Sequence, residues 1–351
     1  MSAEQNFLIK LIAGKSEIKS VDFDKLDWRY FFETAEKQRV IPIIARNAEN
    51  LALKLPQEIA DELQRRARNI SLANLELNWQ LLRIAKLFKS NDIEFSAYKG
   101  ATLSHIAFGD ATFRQFGDLD VLIRRKDFPA VKNLLLKNDA KIAWNLSEKQ
   151  EKAVLKHYYE LPFLIGANNI PVEIHWSFME RFFAFEPAIE TVFERQQIIK
   201  IHETEIPTLS NEDLLILLCV HGAKHFWQRL SWICDVGKLI ENTAINWTLV
   251  ESLAAEINCR RMLKLGLRLA EDLLQIELPD NFSADKDDKI IESLAAQLKN
   301  NLFEENILTE RERVKIYLQM RENVFGKFVF LKRLFLTKAV DSLFLPMGRP
   351  Q

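Results

Sequence analysis

The fold is decided by residues 98–123, which read YKGATLSHIAFGDATFRQFGDLDVLI. Near the end of this stretch, Asp118 and Asp120 are separated by one apolar residue and followed by three more. The pattern predicts the start of a β-strand whose two acids share one face, because successive side chains of a strand alternate between faces. Carboxylates about 7 Å apart along a strand suit Mg²⁺, which prefers oxygen ligands and completes its coordination with phosphate and water. The alternative is a pair of solvated acids at a strand end.

A third acid lies in residues 170–176, IPVEIHW, where alternation places Glu173 and His175 on one face of a further strand. If the two strands are neighbours, Glu173 completes an acidic triad with Asp118 and Asp120 at the metal site. An exposed strand face also carries acids that have no such role. His175 either orients the acceptor or hydrogen-bonds a neighbouring carboxylate, and the second role is favoured.

The acids belong to an ordered set of motifs: Lys99-Gly100, residues 113–123, residues 172–176 and residues 221–235. This set resembles the DNA-polymerase-beta-like nucleotidyltransferase superfamily, and within it a poorly characterised branch whose members carry a Lys-Gly turn. The wider superfamily usually has a Gly-Ser turn at that point, so this chain departs from its pattern. The resemblance implies an enzyme that uses an NTP and Mg²⁺ or Mn²⁺, with the metal held by Asp118, Asp120 and Glu173.

Several cations are candidates for contact with the triphosphate. Lys99 lies at a strand-to-helix turn where Gly100 allows close backbone approach and a helix N-terminus favours anions; a solvated turn lysine is the alternative. Arg114 precedes the acids and either stabilises transferred charge or anchors a loop by pairing with an acid. Lys224 lies in the helical segment 221–235, which the resemblance indicates as a wall of the active cleft.

The same helical segment contains two histidines and an aspartate. His221 and His225 are four residues apart and share a helix face, as zinc ligands do. The HExxH motif is absent because the two residues after His221 are Gly and Ala, so zinc is not favoured. Asp235 is expected to pair with Arg229 or to cap a helix.

Hydrophobic periodicity divides the chain into three regions. Residues 1–90 are predicted to be helical, with one long helix, or two in line, over residues 56–90. Residues 91–208 alternate strands with helices and predict an α/β (α+β) nucleotidyltransferase domain with a mixed sheet. Residues 207–210 are expected to form a linker, and residues 209–351 an all-helical C-terminal domain.

Composition narrows the partners and the location. The chain has 48 Lys and Arg against 49 Asp and Glu, so a net charge of −1 gives no general attraction to a long nucleic acid. There is no secretory signal pattern, no apolar run near the ~20 residues of a membrane span and no CxxC pair, which together predict a cytoplasmic protein without integral membrane association. The segment 325–336 is basic and amphipathic, a pattern typical of binding to a membrane surface or a partner groove. The favoured alternative is that its apolar face packs on the helical domain.

These observations favour a metal-dependent nucleotidyltransferase that moves an NMP from an NTP to a hydroxyl group and releases pyrophosphate. The acceptor is an unidentified hydroxyl-bearing small molecule or protein. The alternative is a non-catalytic relative that keeps the fold and serves as a binding or assembly partner in a biosynthetic pathway. A metal-dependent hydrolase is disfavoured because the sequence lacks a second histidine-aspartate cluster.

Overall fold

The chain begins with helices, as its apolar periodicity predicts. The computed structural model describes residues 1–14, 18, 21–180, 183, 185–282, 288–304 and 308–344, with side chains described as far as residue 334 in the last helix. The first helices are α1 (Ala3–Ala13), α2 (Trp28–Lys37), α3 (Ile41–Asn50) and α4 (Gln57–Lys89). The predicted long helix is confirmed as one continuous element, α4, of 33 residues.

The middle of the chain forms a mixed sheet with its covering helices. Its elements are β1 (Phe95–Ala97), α5 (Gly100–Phe108), β2 (Leu119–Ile123), α6 (Phe128–Leu136), β3 (Ala140–Ile142), α7 (Glu148–His157), β4 (Glu160–Ile165) and β5 (Ile170–His175). Within the described residues these strands make a five-stranded sheet in the order β1-β2-β5-β4-β3. Strands β2 and β5 are parallel, and the other neighbours are antiparallel. The predicted α+β class with a mixed sheet is confirmed.

Hydrophobic cores cover both faces of β2. Leu119, Val121 and Ile123 belong to a core formed with the C-terminal half of α4, with α6 and with the other strands. Leu122 belongs to a second core that contains residues of α1–α3 and α9–α12. Asp120 shares the face of Leu122, because side chains alternate along the strand. The central acid therefore points toward helices from both ends of the chain.

After the sheet come α8 (Ile189–Glu194) and a hairpin of β6 (Gln197–Ile201) and β7 (Thr204–Thr208). Both strands of the hairpin lie within residues 91–208, where the sequence predicts strands alternating with helices. The linker predicted at residues 207–210 is wrong in its first half, because Pro207 lies in β7 and pairs in register with Ile198. A proline is tolerated there since the hairpin has only two strands and one side of each is a free edge.

The rest of the chain forms α9 (Asn211–Lys224), α10 (Leu230–Asn242), α11 (Trp247–Glu256), α12 (Arg260–Leu274), α13 (Lys289–Asn301), α14 (Glu310–Gln319) and α15 (Val324–Phe344). Every described element after β7 is helical, as predicted, while domain boundaries at residues 90 and 208 stay predictions. In α15 Phe330 is fully buried and Phe325 and Phe328 are exposed; residues 335 and 336 lie outside the described side chains. No described helix is long and apolar enough to cross a membrane.

Candidate active site

The polar groups of the site converge on one face of three neighbouring strands. Asp120 of β2 is in register with Glu173 of β5, and Glu160 of β4 is in register with His175 of β5. Residues paired across a ladder project to the same side, so these four side chains share one face. Ligand atoms of Asp120, Glu173 and His175 lie within 4.8 Å of one another. The sequence predicted this shared face but missed Glu160, whose only signal is an acid at the first position of an otherwise apolar strand.

Asp118 lies just before β2 and lines the same cleft as Asp120. Among the described residues, it does not belong to the close group of ligand atoms formed by Asp120, Glu173 and His175. Burial and then the negative charge of Asp120 raise the pKa of Asp118 to about 6, against the opposing charge of Lys99. A divalent cation bound between neighbouring carboxylates favours their ionised forms, because it offsets their mutual repulsion. These acids therefore fit a metal on charge as well as on donor type.

Lys99 supplies part of the missing positive charge. Its Nζ lies 2.8 Å from Oδ1 of Asp120, and the Asp120 side chain is 2% exposed. Burial alone would raise the pKa of Asp120, but Lys99 and His175 together hold it well below its usual value. Burial opposes the charge on Lys99, and the nearby Asp120 and Asp118 outweigh it and raise the pKa of Lys99. The pair is thus ionised at neutral pH.

His175 holds the carboxylates of the site together. Its Nε2 lies 3.2 Å from Oδ1 of Asp120 and 3.3 Å from Oε2 of Glu173, and its Nδ1 lies 3.3 Å from Oε2 of Glu160. Burial lowers the pKa of His175, but these carboxylates outweigh burial and raise it to about 10. Burial raises the pKa of Glu160 to about 7. In this arrangement the imidazole is therefore protonated at neutral pH, and its charge offsets that of the surrounding carboxylates.

The Lys-Gly turn packs directly against the backbone of the acids. Gly100 begins α5 with φ +51, and a Cβ there would lie 3.0 Å from the carbonyl oxygen of Asp118 and 3.3 Å from the ring of Phe116. The N–H of Tyr98 donates to the carbonyl oxygen of Asp120 at 3.3 Å. Only glycine combines the left-handed backbone with this close approach. The turn therefore fixes Lys99 beside Asp120.

A cleft of about 270 Å³ lies between the acids and a helical wall. Its helical side is lined by His221, His225 and Trp232. The two imidazole centroids are 4.7 Å apart, and they lie 5.5 and 5.1 Å from the Trp232 ring. Burial and then nearby lysine charge lower the pKa of His221 well below its usual value and that of His225 to about 3. These three side chains are therefore aromatic and uncharged at neutral pH.

Two of the predicted phosphate contacts are engaged in ion pairs. Nε and Nη2 of Arg114 donate to the two carboxylate oxygens of Asp235 on α10 at 2.7 and 2.9 Å. Nζ of Lys224 lies 2.8 Å from Oε2 of Glu180. Arg114 still lines the cleft, whereas Lys224 is not among its lining residues. The expectation that Asp235 pairs with Arg229 or caps a helix is wrong, because the guanidinium that reaches it is that of Arg114.

The pair of parallel strands that carries Asp120 and Glu173, with the Lys-Gly turn on the cleft beside Asp120, is consistent with a nucleotidyltransferase fold. A family model described as uncharacterised nucleotidyltransferase matches residues 24–275, from the segment before α2 through α12, and the protein belongs to that family. No curated protein matches the chain. At this level the protein is a nucleotidyltransferase-family transferase, with a buried acid and histidine group able to bind a metal.

Proposed function

We propose that the protein transfers a nucleoside monophosphate from an NTP to a hydroxyl group and releases pyrophosphate. The observation that carries the proposal is the pairing of Asp120 with Glu173 at facing positions of parallel strands, with Asp118 lining the same cleft as Asp120. Membership of a nucleotidyltransferase family supports it. Carboxylate oxygens are the donors that Mg²⁺ and Mn²⁺ take. Such a metal, when bound, lowers the pKa of the attacking hydroxyl and offsets charge on the α-phosphate.

The residues of the chain then have distinct roles in this proposal. Asp118, Asp120 and Glu173 hold the metal, and Glu173 also takes the proton of the acceptor hydroxyl. His175, anchored by Glu160, keeps the Asp120 and Glu173 carboxylates in place. The finer assignment to the Lys-Gly branch belongs to the same proposal.

Lys99 is placed to serve two partners. Its ammonium is bound to Asp120, and it immediately precedes Gly100 at the N-terminus of α5. A phosphate that approaches this helix N-terminus is within the reach of a lysine that no longer has to neutralise Asp120. Triphosphate contacts from Arg114 and Lys224 stay predictions, and each would require breaking a short ion pair with Asp235 or Glu180.

One observation favours the non-catalytic alternative. Lys99 and His175 neutralise Asp120 with groups of the chain itself, so the acids form a stable polar cluster without a cation. A relative that keeps the fold as a binding or assembly partner would need only this cluster. A response to divalent metal therefore separates the two functions.

The test is incubation of the protein with each α-labelled NTP and Mg²⁺ or Mn²⁺ in cell lysate, followed by a search for the labelled species. We expect a labelled product with the wild type and none with Asp120→Asn, while Glu203→Gln, an exposed acid outside the cleft, leaves labelling unchanged. Melting temperature is measured in parallel, because a ligand at a hundredfold its Kd stabilises the folded state by about 2.7 kcal/mol. Three results together would establish the non-catalytic alternative. The wild type would give no labelled product, its melting temperature would not change with metal or NTP, and Asp118→Asn/Asp120→Asn would melt at a much lower temperature than the wild type.

A further inference from the structure

The cleft contains two arginines that the sequence analysis did not connect. Arg39 follows α2, Arg229 precedes α10, and both line the cleft that the Lys-Gly turn also lines. Within the part of the chain that the structure describes, neither guanidinium has a carboxylate partner. Arg229 lies over the ring of Trp232, 5.1 Å from its centroid. Arg114, in contrast, lines the same cleft with its guanidinium fully paired to Asp235.

The two guanidinium groups repel each other. Burial and then the charge of Arg39 lower the pKa of Arg229, and the negative charge of Asp118 opposes this. Like charges held near each other in a partly buried cleft destabilise the fold, because water screens them less than at an open surface. An anion between them would convert this repulsion into attraction.

The two arginines are held together by a buried side chain. Gln38 is 1% exposed, its Oε1 accepts from the N–H of Leu230 at 2.7 Å, and its carbonyl oxygen accepts from the N–H of Ser231 at 3.3 Å. Its Nε2 donates to the carbonyl oxygen of Leu302 at 2.9 Å. These bonds join the end of α2 to the start of α10, immediately beside Arg39 and Arg229. The backbones that carry the two arginines are therefore held at fixed positions relative to each other.

Arg39 has a left-handed backbone, with φ +56 directly after α2, a position where glycine is normally preferred. Other described residues that are not glycine share this conformation, among them Ala52 after α3 and Gln275 after α12. The conformation places an arginine of the N-terminal helices in the cleft.

We propose that Arg39 and Arg229 bind the terminal phosphates of the donor nucleotide, an inference that rests on the proposed function. The acids and Lys99 mark the part of the cleft where the α-phosphate would react, and the two arginines line the same cleft. Guanidinium groups match phosphate oxygens in geometry and bind them by charge-assisted hydrogen bonds. A phosphate on the acceptor offers the same chemistry, so the test must separate donor from acceptor.

Inorganic tripolyphosphate is the probe, because it needs no assumption about the base. Its Kd is measured by calorimetry, with and without Mg²⁺, for the wild type, Arg39→Gln and Arg229→Gln. The matched control is Arg68→Gln, since Arg68 is exposed on α4 and far from the cleft lining. We expect each cleft variant to weaken binding by about tenfold or more, as for the loss of a charge-assisted contact, and the control to leave it unchanged.

A second readout separates phosphate binding from a structural role. Without ligand, Arg39→Gln and Arg229→Gln are expected to melt at or above the wild-type temperature, because each removes a like-charge repulsion. A clear drop in melting temperature would instead mean that the arginines support the fold, and with unchanged tripolyphosphate affinity it would overturn the proposal.

Competition with an equimolar mixture of the four NTPs identifies the source of the phosphate. We expect the mixture to displace tripolyphosphate; failure to displace it would assign the arginine pair to the acceptor and overturn the donor assignment. Labelled-NTP transfer by the wild type is scored separately. If the wild type transfers the label and both arginine variants bind tripolyphosphate with wild-type affinity, only the role of the arginine pair is refuted. If tripolyphosphate binding depends on the two arginines and the wild type transfers no label, only the proposed function is refuted.

Discussion

The arginines that line the cleft differ in their ion pairing. Arg114 is paired with Asp235, whereas Arg39 and Arg229 have no carboxylate partner among the described residues. Arg114 and Asp235 are buried, and two nitrogens of the guanidinium donate to the carboxylate. The backbone of Arg114 is held as well, since Nδ2 of Asn74 donates to its carbonyl oxygen at 2.7 Å. A planar fork matched to a carboxylate is a favoured geometry for a buried ion pair. At the residue scale, therefore, we expect Arg114 to contribute to stability.

Arg114→Met is expected to destabilise the fold by about 3–5 kcal/mol, because it leaves the Asp235 carboxylate buried and unpaired. Arg114→Met/Asp235→Leu should recover most of that loss, since apolar groups of similar volume replace a buried pair at little cost. Urea denaturation measures both. Arg29→Met, which breaks an exposed ion pair with Glu33, is the control and should leave the free energy of unfolding nearly unchanged. A single Arg114→Met variant as stable as the wild type would contradict the structural role.

At the scale of elements, α4 and α9 determine the two walls of the cleft. Nδ2 of Asn74 in α4 also donates to the carbonyl oxygen of Thr112 at 3.2 Å, so α4 carries the loop that leads to the acids. His221 lies in the last turn of α9, His225 is the C-cap of that helix, and both line the cleft. The neutral state of these histidines has a measurable consequence for stability.

The folded protein should lose stability on acidification through His221 and His225. Because burial lowers the pKa of His225 from 6.5 to about 3, and lowers that of His221 well below its usual value, the unfolded chain binds more protons than the folded chain below pH 6.5. Stability contributed by the neutral imidazoles is thus present above pH 6.5 and falls as the pH decreases toward 3. His221→Gln/His225→Gln should reduce this loss.

The measurement is the free energy of unfolding against pH in EDTA for the variant and the wild type. The comparison has to be made between proteins, because Asp118 and Glu160 have raised pKa values and act in the opposite direction. His202→Asn, at an exposed left-handed position that asparagine tolerates, is the control. Equal slopes for the double variant and the wild type below pH 6.5 would rule out the buried neutral pair.

At the scale of the whole molecule, the two ends of the chain share one core. Leu11 of α1 is fully buried in the same cluster as Leu269 of α12 and Leu214 of α9. Since α4 contributes side chains to this core and to the core under the sheet, the cores are mechanically joined. We therefore expect α1 and α12 to unfold together.

Leu11→Ala tests this coupling. It is expected to cost about 2–5 kcal/mol through lost burial and the cavity left behind. Hydrogen exchange followed by mass spectrometry should show reduced protection in α12 as well as in α1. Leu72→Ala, at an exposed position of α4, should change neither. Loss of protection confined to α1 would mean that the N-terminal helices open as a separate unit.

The sequence alone was enough to predict the elements that carry the acids. Alternation located β2, β4 and β5, and a long apolar periodicity located α4, because both patterns follow from local backbone geometry. The same alternation placed Asp120, Glu173 and His175 on faces that could meet. The left-handed turn at Gly100 was also foreseeable, since glycine is the residue that such a turn prefers.

Only the tertiary structure decided which charges meet. Arg114 and Asp235 are 121 residues apart, and their pairing depends on how α10 packs against α5. Arg39 reaches the cleft because Gln38 binds the start of α10, a contact 192 residues apart in sequence. Such pairs carry no local periodicity, because a salt bridge depends on side-chain positions set by the packing of distant helices. The sequence could therefore predict a site of acids, whereas which cations stabilise the fold and which remain to bind a ligand depended on that packing.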